Sequence, residues 1–228
     1  MQLRRPQLRR PQLRHLVQLI PAAGFLRIAF SAVCIALVSL GQPGNAQQGP
    51  STLKPPPGAR VALVEFGDLE CPKCAQVNPL LRDAVAKYHV PWIRHDFLIP
   101  YHNWSSQAAV NARWFDAQAK HLGNDYRDAV FANQRSIETP SDLAQFTANF
   151  AKQHGIALPF AIDPQGTLLN AVKADVVLGQ SLGVNQTPTV WIVTDRSGGA
   201  PPYTQITDFG KLFVMLDQLT AQTSHARK

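Results

Sequence analysis

The sequence predicts an α/β fold, a single sheet whose strands are separated by an inserted block of helices rather than two independent domains. Three observations carry this expectation. Val61 to Phe66 is a nearly continuous apolar, β-branched run of strand length, the pattern of a strand covered on both faces. From Tyr101 to Gly183 the apolar periodicity turns helical and stays so. A strand pattern then returns at Thr189 to Val193.

The first segment lies outside that pattern. Residues 1–46 hold six arginines and no acid, so they account for +6 of the formal +7 charge. After Arg27 comes an uncharged run of 13 residues, Ile28 to Leu40, and then the small-residue sequence Gly44, Asn45, Ala46. A basic start, a short apolar core and a small-residue exit make a secretory signal peptide. The run is shorter than the roughly 17 to 25 residues of a membrane-spanning helix, so a retained anchor is the alternative. Cys34 falls inside the apolar core and is read as a plain hydrophobe of the leader. Without the leader the chain carries 16 bases against 15 acids, which removes the basis for a nucleic-acid partner that the pI near 9.6 would suggest.

The remaining elements follow in order. Gln47 to Ala59, with Pro55, Pro56 and Pro57, has no apolar period and is expected to be an extended linker. After the first strand, Pro72 stands where a first helical position should be, and Val77, Leu80, Leu81, Ala84, Val85 and Tyr88 recur at helical spacing. A second strand is expected over Trp92 to Ile99. Ala108, Ala112, Phe115, Ala119 and Leu122 form a helical stripe that Gly123 would end, with a shorter helix over Asn124 to Gln134. Thr139, Pro140 and Asp142 signal the start of a helix striped by Leu143, Phe146 and Phe150 and ended by Gly155. Asp163 and Pro164 open another, with Leu168, Val172, Val176 and Leu182 before Gly183. A short Tyr203 to Ile206 segment and a closing helix marked by Phe209, Leu212, Leu216 and Leu219 complete the chain. The expected organisation is therefore a signal peptide over 1–46, a linker over 47–59, a folded domain over 60–222 with its helical insertion at about 102–183, and a tail at 223–228.

Outside the leader there are two cysteines, in Cys71-Pro72-Lys73-Cys74, at the junction of a buried strand and a helix. A thiol there faces free backbone N–H groups and the positive end of the helix dipole, which stabilise its thiolate. Cys71 is thus the expected nucleophile, and Cys74, one turn on and more buried, is placed to attack a mixed disulfide formed by Cys71. Other uses of the pair differ in how well they fit. Structural zinc needs a second pair of ligands, and this sequence supplies no further cysteine after the leader. A purely structural disulfide closing so short a loop would stabilise little. Soft Cu(I) held by two thiolates is chemically reasonable and stays open.

The stretch Val64-Glu65-Phe66-Gly67-Asp68-Leu69-Glu70-Cys71-Pro72-Lys73-Cys74 resembles the active-site segment of DsbA-like thiol-disulfide oxidoreductases of the thioredoxin superfamily. Leu182-Gly183-Val184-Asn185-Gln186-Thr187-Pro188-Thr189-Val190 is similar to that family's cis-proline loop. The resemblance covers about residues 60–222 and implies a thioredoxin fold with a helical subdomain between the second strand and the cis-proline loop. It implies a cis bond before Pro188, where the residues alone would suggest an ordinary trans proline opening a strand, and makes Thr187 and Pro188 substrate-binding residues beside Cys71. It implies that Glu65, six positions before Cys71, is a buried acid that exchanges protons with Cys74; the alternative is an acid at the strand's solvated end. Asp68 and Glu70 are expected to be surface charges, and His95 and His102 structural groups, because thiol-disulfide exchange needs no imidazole.

The function expected on this basis is that of an exported enzyme, a dithiol oxidase of the periplasm or cell envelope with no cofactor beyond a redox-active Cys71–Cys74 disulfide and no metal. Its partners would be exported proteins held through a transient mixed disulfide and a membrane redox partner that reoxidises it, with the protein itself a monomer. A reductase or isomerase of the same fold, or a Cu(I)-binding or delivery module using the same thiols, are the alternatives.

Overall fold

A computed structural model describes residues 52–224. The expected signal peptide, Cys34 and residues 225–228 lie outside the described residues. The elements run β1 (Val61–Gly67), α1 (Pro72–Tyr88), β2 (Trp92–Asp96), α2 (Ser105–Gln118), α3 (Leu122–Asn133), α4 (Pro140–Gln153), α5 (Thr167–Ser181), β3 (Thr189–Thr194), β4 (Tyr203–Gln205) and α6 (Leu212–Ser224).

The four strands form one sheet in the order β2-β1-β3-β4, with β1 and β2 parallel and the other pairs antiparallel. A parallel neighbour requires a crossover, and α1 supplies it. Alternation along β1 divides the residues between the two faces of the sheet. Val61 and Leu63 pack with Val77, Leu81 and Ala84 of α1 and Leu212, Leu216 and Leu219 of α6, together with Val190 and Ile192 of β3. Ala62, Val64 and Phe66 point the other way, onto Phe97, Leu182, Val184, Trp191 and Val193. Both faces of β1 are therefore covered, which is why its sequence is apolar apart from Glu65. Glu65 shares the parity of Val61 and Leu63 and so falls on the α1 face.

The helical insertion, α2 to α5, has its own core. Trp104, Ala108, Ala112, Phe115, Tyr126, Val130, Leu143 and Phe150 form a cluster that also takes in Leu69, Cys71 and Cys74. Its aromatic rings meet edge-on or tilted, Phe115 with Tyr126 at 4.8 Å and with Phe150 at 5.0 Å.

Several boundaries differ from expectation for local reasons. Strand β2 stops at Asp96 and not Ile99, because beyond Phe97, whose N–H still reaches the carbonyl of Gly67, the N–H of Ile99 donates instead to the Asp68 carboxylate at 2.8 Å. Gly123 does not end α2, which stops at Gln118; it lies in the first turn of α3. A Cβ there would come within 2.5 Å of the Ala112 carbonyl oxygen and 2.0 Å of the Asp116 side chain, so the glycine permits the close approach of α3 to α2. Asp163 does serve the next helix, but from a distance: α5 begins at Thr167, after Gly166 at φ +70°, and the Asp163 carboxylate accepts from the N–H groups of Leu168 and Leu169. The start of α4 is as expected, with a reciprocal capping box between Thr139 and Asp142. Within the expected linker, Leu53 packs against the Phe66 and Trp191 face of the sheet.

Candidate active site

Cys71 is the N-cap of α1, with Pro72 at the first helical position. Its extended backbone (φ −77°, ψ 119°) turns the Sγ back over the helix, where it accepts from the Cys74 N–H at 3.4 Å. The same sulfur lies 3.6 Å from the carbonyl oxygen of Thr187, to which the thiol donates. These contacts bring the two distant sequence motifs together. The Thr187–Pro188 peptide bond is cis, and both residues line a cavity of about 580 Å³ with Lys73 and the segment from Gln205 to Gly210.

The two free thiols differ sharply. The Cys71 thiol is lowered to about 5, first by the hydrogen bond from the Cys74 thiol, against the cost of burial, and further by the Thr187 side chain and the backbone N–H groups of Cys74 and Lys73. The backbone part of this is the helix N-terminus acting on an anion, and it is smaller than the part from the Cys74 thiol. Cys74 is fully buried, and burial, its hydrogen bond to Cys71 and the negative charges of Cys71 and Glu65 all push its pKa up. The site therefore favours the thiolate at Cys71, whose contact with the Thr187 carbonyl is a donated hydrogen bond only in the protonated form, and the thiol at Cys74.

Glu65 is 2% exposed, and its pKa is raised by burial, opposed chiefly by the Arg94 guanidinium. The sequence did not single out Arg94 for this place. Parallel pairing sets Glu65 opposite Arg94 across β1 and β2, and Arg94 Nε lies 3.6 Å from Glu65 Oε2. Asn78 of α1 and Asp128 of α3 accept from Arg94 at 2.7 and 3.2 Å, and the ring of Trp92 lies 4.1 Å from the guanidinium. A basic residue in the middle of a short strand following α1 is the signal that could have found it.

Asp68 and Glu70 are not surface charges. Asp68 is 2% exposed; its carboxylate accepts from the Glu70 and Ile99 N–H groups and pairs with His102 Nδ1 at 3.0 Å. Glu70 accepts from the N–H groups of Asn103, Trp104 and Ser105 at 3.2, 2.7 and 3.0 Å and so caps α2. Local polarity predicts exposure for both, whereas their partners are more than thirty residues away. Both histidines are tied to carboxylates: His102 holds Asp68, and His95 pairs with Asp175 at 2.8 Å while stacking on Phe66. Among the described residues no group of three or more His, Cys, Asp or Glu could hold a metal ion.

A cysteine pair at the start of a helix, facing a cis-prolyl loop on a sheet of this order, defines the dithiol proteins of the thioredoxin superfamily. A model of the thioredoxin family matches residues 56–209, and the chain belongs to that family. Solved structures place it more finely. α-DsbA1 of Wolbachia pipientis aligns with a TM-score of 0.64 at 16% identity, over 79% of this chain and all of that one. DsbA2 of Pseudomonas aeruginosa aligns with a TM-score of 0.54 at 20% identity, over 73% and 92%. ScsC of Proteus mirabilis gives 0.56 at 16%, over 74% and 71%. The fold is thus that of the DsbA-like thiol-disulfide oxidoreductases, with their inserted helical domain. Among curated proteins, the Na(+)/H(+) antiporter NhaA 3 of Salinispora tropica is 27% identical over 151 residues, 65% of this chain. This chain spans 22% of the length of that relative.

Proposed function

We propose that the protein is an exported dithiol oxidase that introduces disulfides into other exported proteins. The observation that carries this reading is the asymmetry of the thiols: Cys71 lowered to about 5 and Cys74 raised. A thiolate stabilised by the fold exists only in the reduced state, so it favours the reduced enzyme and makes its disulfide an oxidant. The sign follows from linkage. A depressed thiol pKa stabilises the folded reduced protein fully above the unfolded value, and that contribution is lost as pH falls through about 5.

In the forward cycle a substrate thiolate attacks Cys71 Sγ of the Cys71–Cys74 disulfide, and Cys74 leaves with the electron pair. Its raised pKa demands a proton, which Glu65, buried on the same face of the sheet, is suited to supply. A second substrate thiolate then attacks the substrate sulfur of the mixed disulfide, and Cys71 departs as a stable thiolate. The substrate has lost two electrons and the enzyme has gained them, so a membrane redox partner must accept them. Thr187 and Pro188 would hold the substrate backbone beside the sulfur. The basic, apolar, small-residue order of residues 1–46 supports export to the periplasm or cell envelope, and the protein is taken to work as a monomer.

Equilibrating the protein with defined mixtures of reduced and oxidised glutathione tests the direction. A potential well above that of a cytosolic thioredoxin (about −270 mV) is expected; one near or below it would overturn the oxidase assignment in favour of a reductase.

A further inference from the structure

The cavity beside Cys71 has a chemical polarity that goes beyond the exchange reaction. Its lining mixes apolar Pro188, Ile206 and Phe209 with polar Gln186 and Thr187 of the cis-proline loop and Gln205 and Thr207 of the segment from β4 onward. Two of its lining residues are charged, Lys73 between the cysteines and Asp208 in the segment after β4. Lys73 Nζ donates to Gln76 at 2.9 Å on the outer face of α1. The Asp208 carboxylate is held in place by its own turn, with Oδ1 accepting from the Gly210 N–H at 2.9 Å. Its other oxygen lies 3.8 Å from Lys211 Nζ, with both side chains more than half exposed. So loose a pair yields readily to a competing cation. The wall that carries Asp208 continues β4, the last strand of the sheet, beside which an extended segment can lie.

We infer that the protein selects its partners by charge, favouring extended thiol segments that carry a basic side chain, Lys or Arg, where the segment passes Asp208. This rests on the thiol-exchange reading above. The polar groups of the lining satisfy the backbone and small polar side chains of such a segment, and the oriented carboxylate supplies the one fixed negative charge among the lining residues. Asp208 is a specificity residue: it touches the bound segment and takes no part in bond exchange.

The test uses three otherwise identical cysteine peptides, with basic, neutral or acidic residues flanking the thiol, and measures oxidation of each by the protein. The basic peptide should have a KM about three- to fivefold lower than the acidic one, with similar kcat, and the difference should shrink as salt is added. Asp208→Asn should abolish the preference, and Asp208→Lys should reverse it. A preference that survives Asp208→Lys unchanged, or no preference in the wild type while the neutral peptide reacts, would overturn the inference alone. If none of the three peptides forms a mixed disulfide with Cys71, the exchange reading fails and the inference goes with it.

Discussion

Glu65 in the sheet and the buried polar network of the helical insertion are satisfied to opposite degrees. In the insertion, Asn111, Tyr126 and Thr147 are buried together and mutually bonded: Asn111 donates to both oxygens at 3.3 and 3.1 Å, the two hydroxyls lie 2.7 Å apart, and Asn111 accepts from Gln107. Arg127 and Asp116 add a bidentate pair at 2.9 and 3.1 Å. In the sheet, Glu65 is as deeply buried, yet among the described residues neither of its oxygens has a hydrogen-bond partner. A satisfied network fixes one packing, whereas burial without such partners raises the acid's pKa and favours its protonated form. The first arrangement favours a single packing, and the second carries a cost in stability that the proposed proton role of Glu65 would explain.

That contrast can be broken at several points. The largest effect belongs to Cys74, which packs in the insertion core and is the leaving thiol of the proposed cycle. Cys74→Ala should cut turnover by more than about a hundredfold and leave substrates trapped on Cys71, recoverable as mixed disulfides on non-reducing gels. Next comes Gly123→Val, whose branched side chain would collide with the Ala112 carbonyl. It should cost about 3 kcal/mol in denaturant unfolding while Cys71 in the folded fraction still exchanges normally.

Glu65→Gln should do the reverse, slowing exchange about tenfold with no loss of fold. Its pH dependence has a definite sign. An acid whose pKa is raised above 4.5 on folding destabilises the folded protein as pH climbs from that value through the folded pKa. The variant should therefore gain stability relative to wild type over that range and lose the acid-dependent limb of the rate profile. Parallel pH curves for the two proteins would remove the proposed proton role. The smallest effect is expected from Tyr126→Phe, which strips one hydroxyl from the satisfied network and should cost about 1 kcal/mol in thermal or denaturant unfolding, with exchange kinetics untouched.

What could be read in advance follows from the range of the interactions. The burial of β1, the capping box at Thr139 and the placement of Cys71 ahead of Pro72 are written within a few consecutive residues, and each is found where expected. The cis bond before Pro188 became visible through the family resemblance, since Thr187 and Pro188 alone suit a trans bond equally well. Gly123 was misread because a helix stop and a close helix crossing ask for the same residue, and only the neighbouring helix distinguishes them. Asp68, Glu70 and Arg94 escaped for a related reason. Each is a charged residue whose burial depends on partners brought close by the fold, Ile99, Ser105 and Glu65 respectively.

Glu70 gives the insertion a standing that its label conceals. The carboxylate directly before Cys71 receives the first N–H groups of α2, and Asp68 holds the chain leading into that helix. Trimming the protein to a minimal core by excising residues 102–183 would therefore strand two carboxylates beside the reactive sulfur and open Cys74 to water. The helices between β2 and β3 are thus tied to the loop that carries Cys71, and shortening the protein there calls for rebuilding that loop.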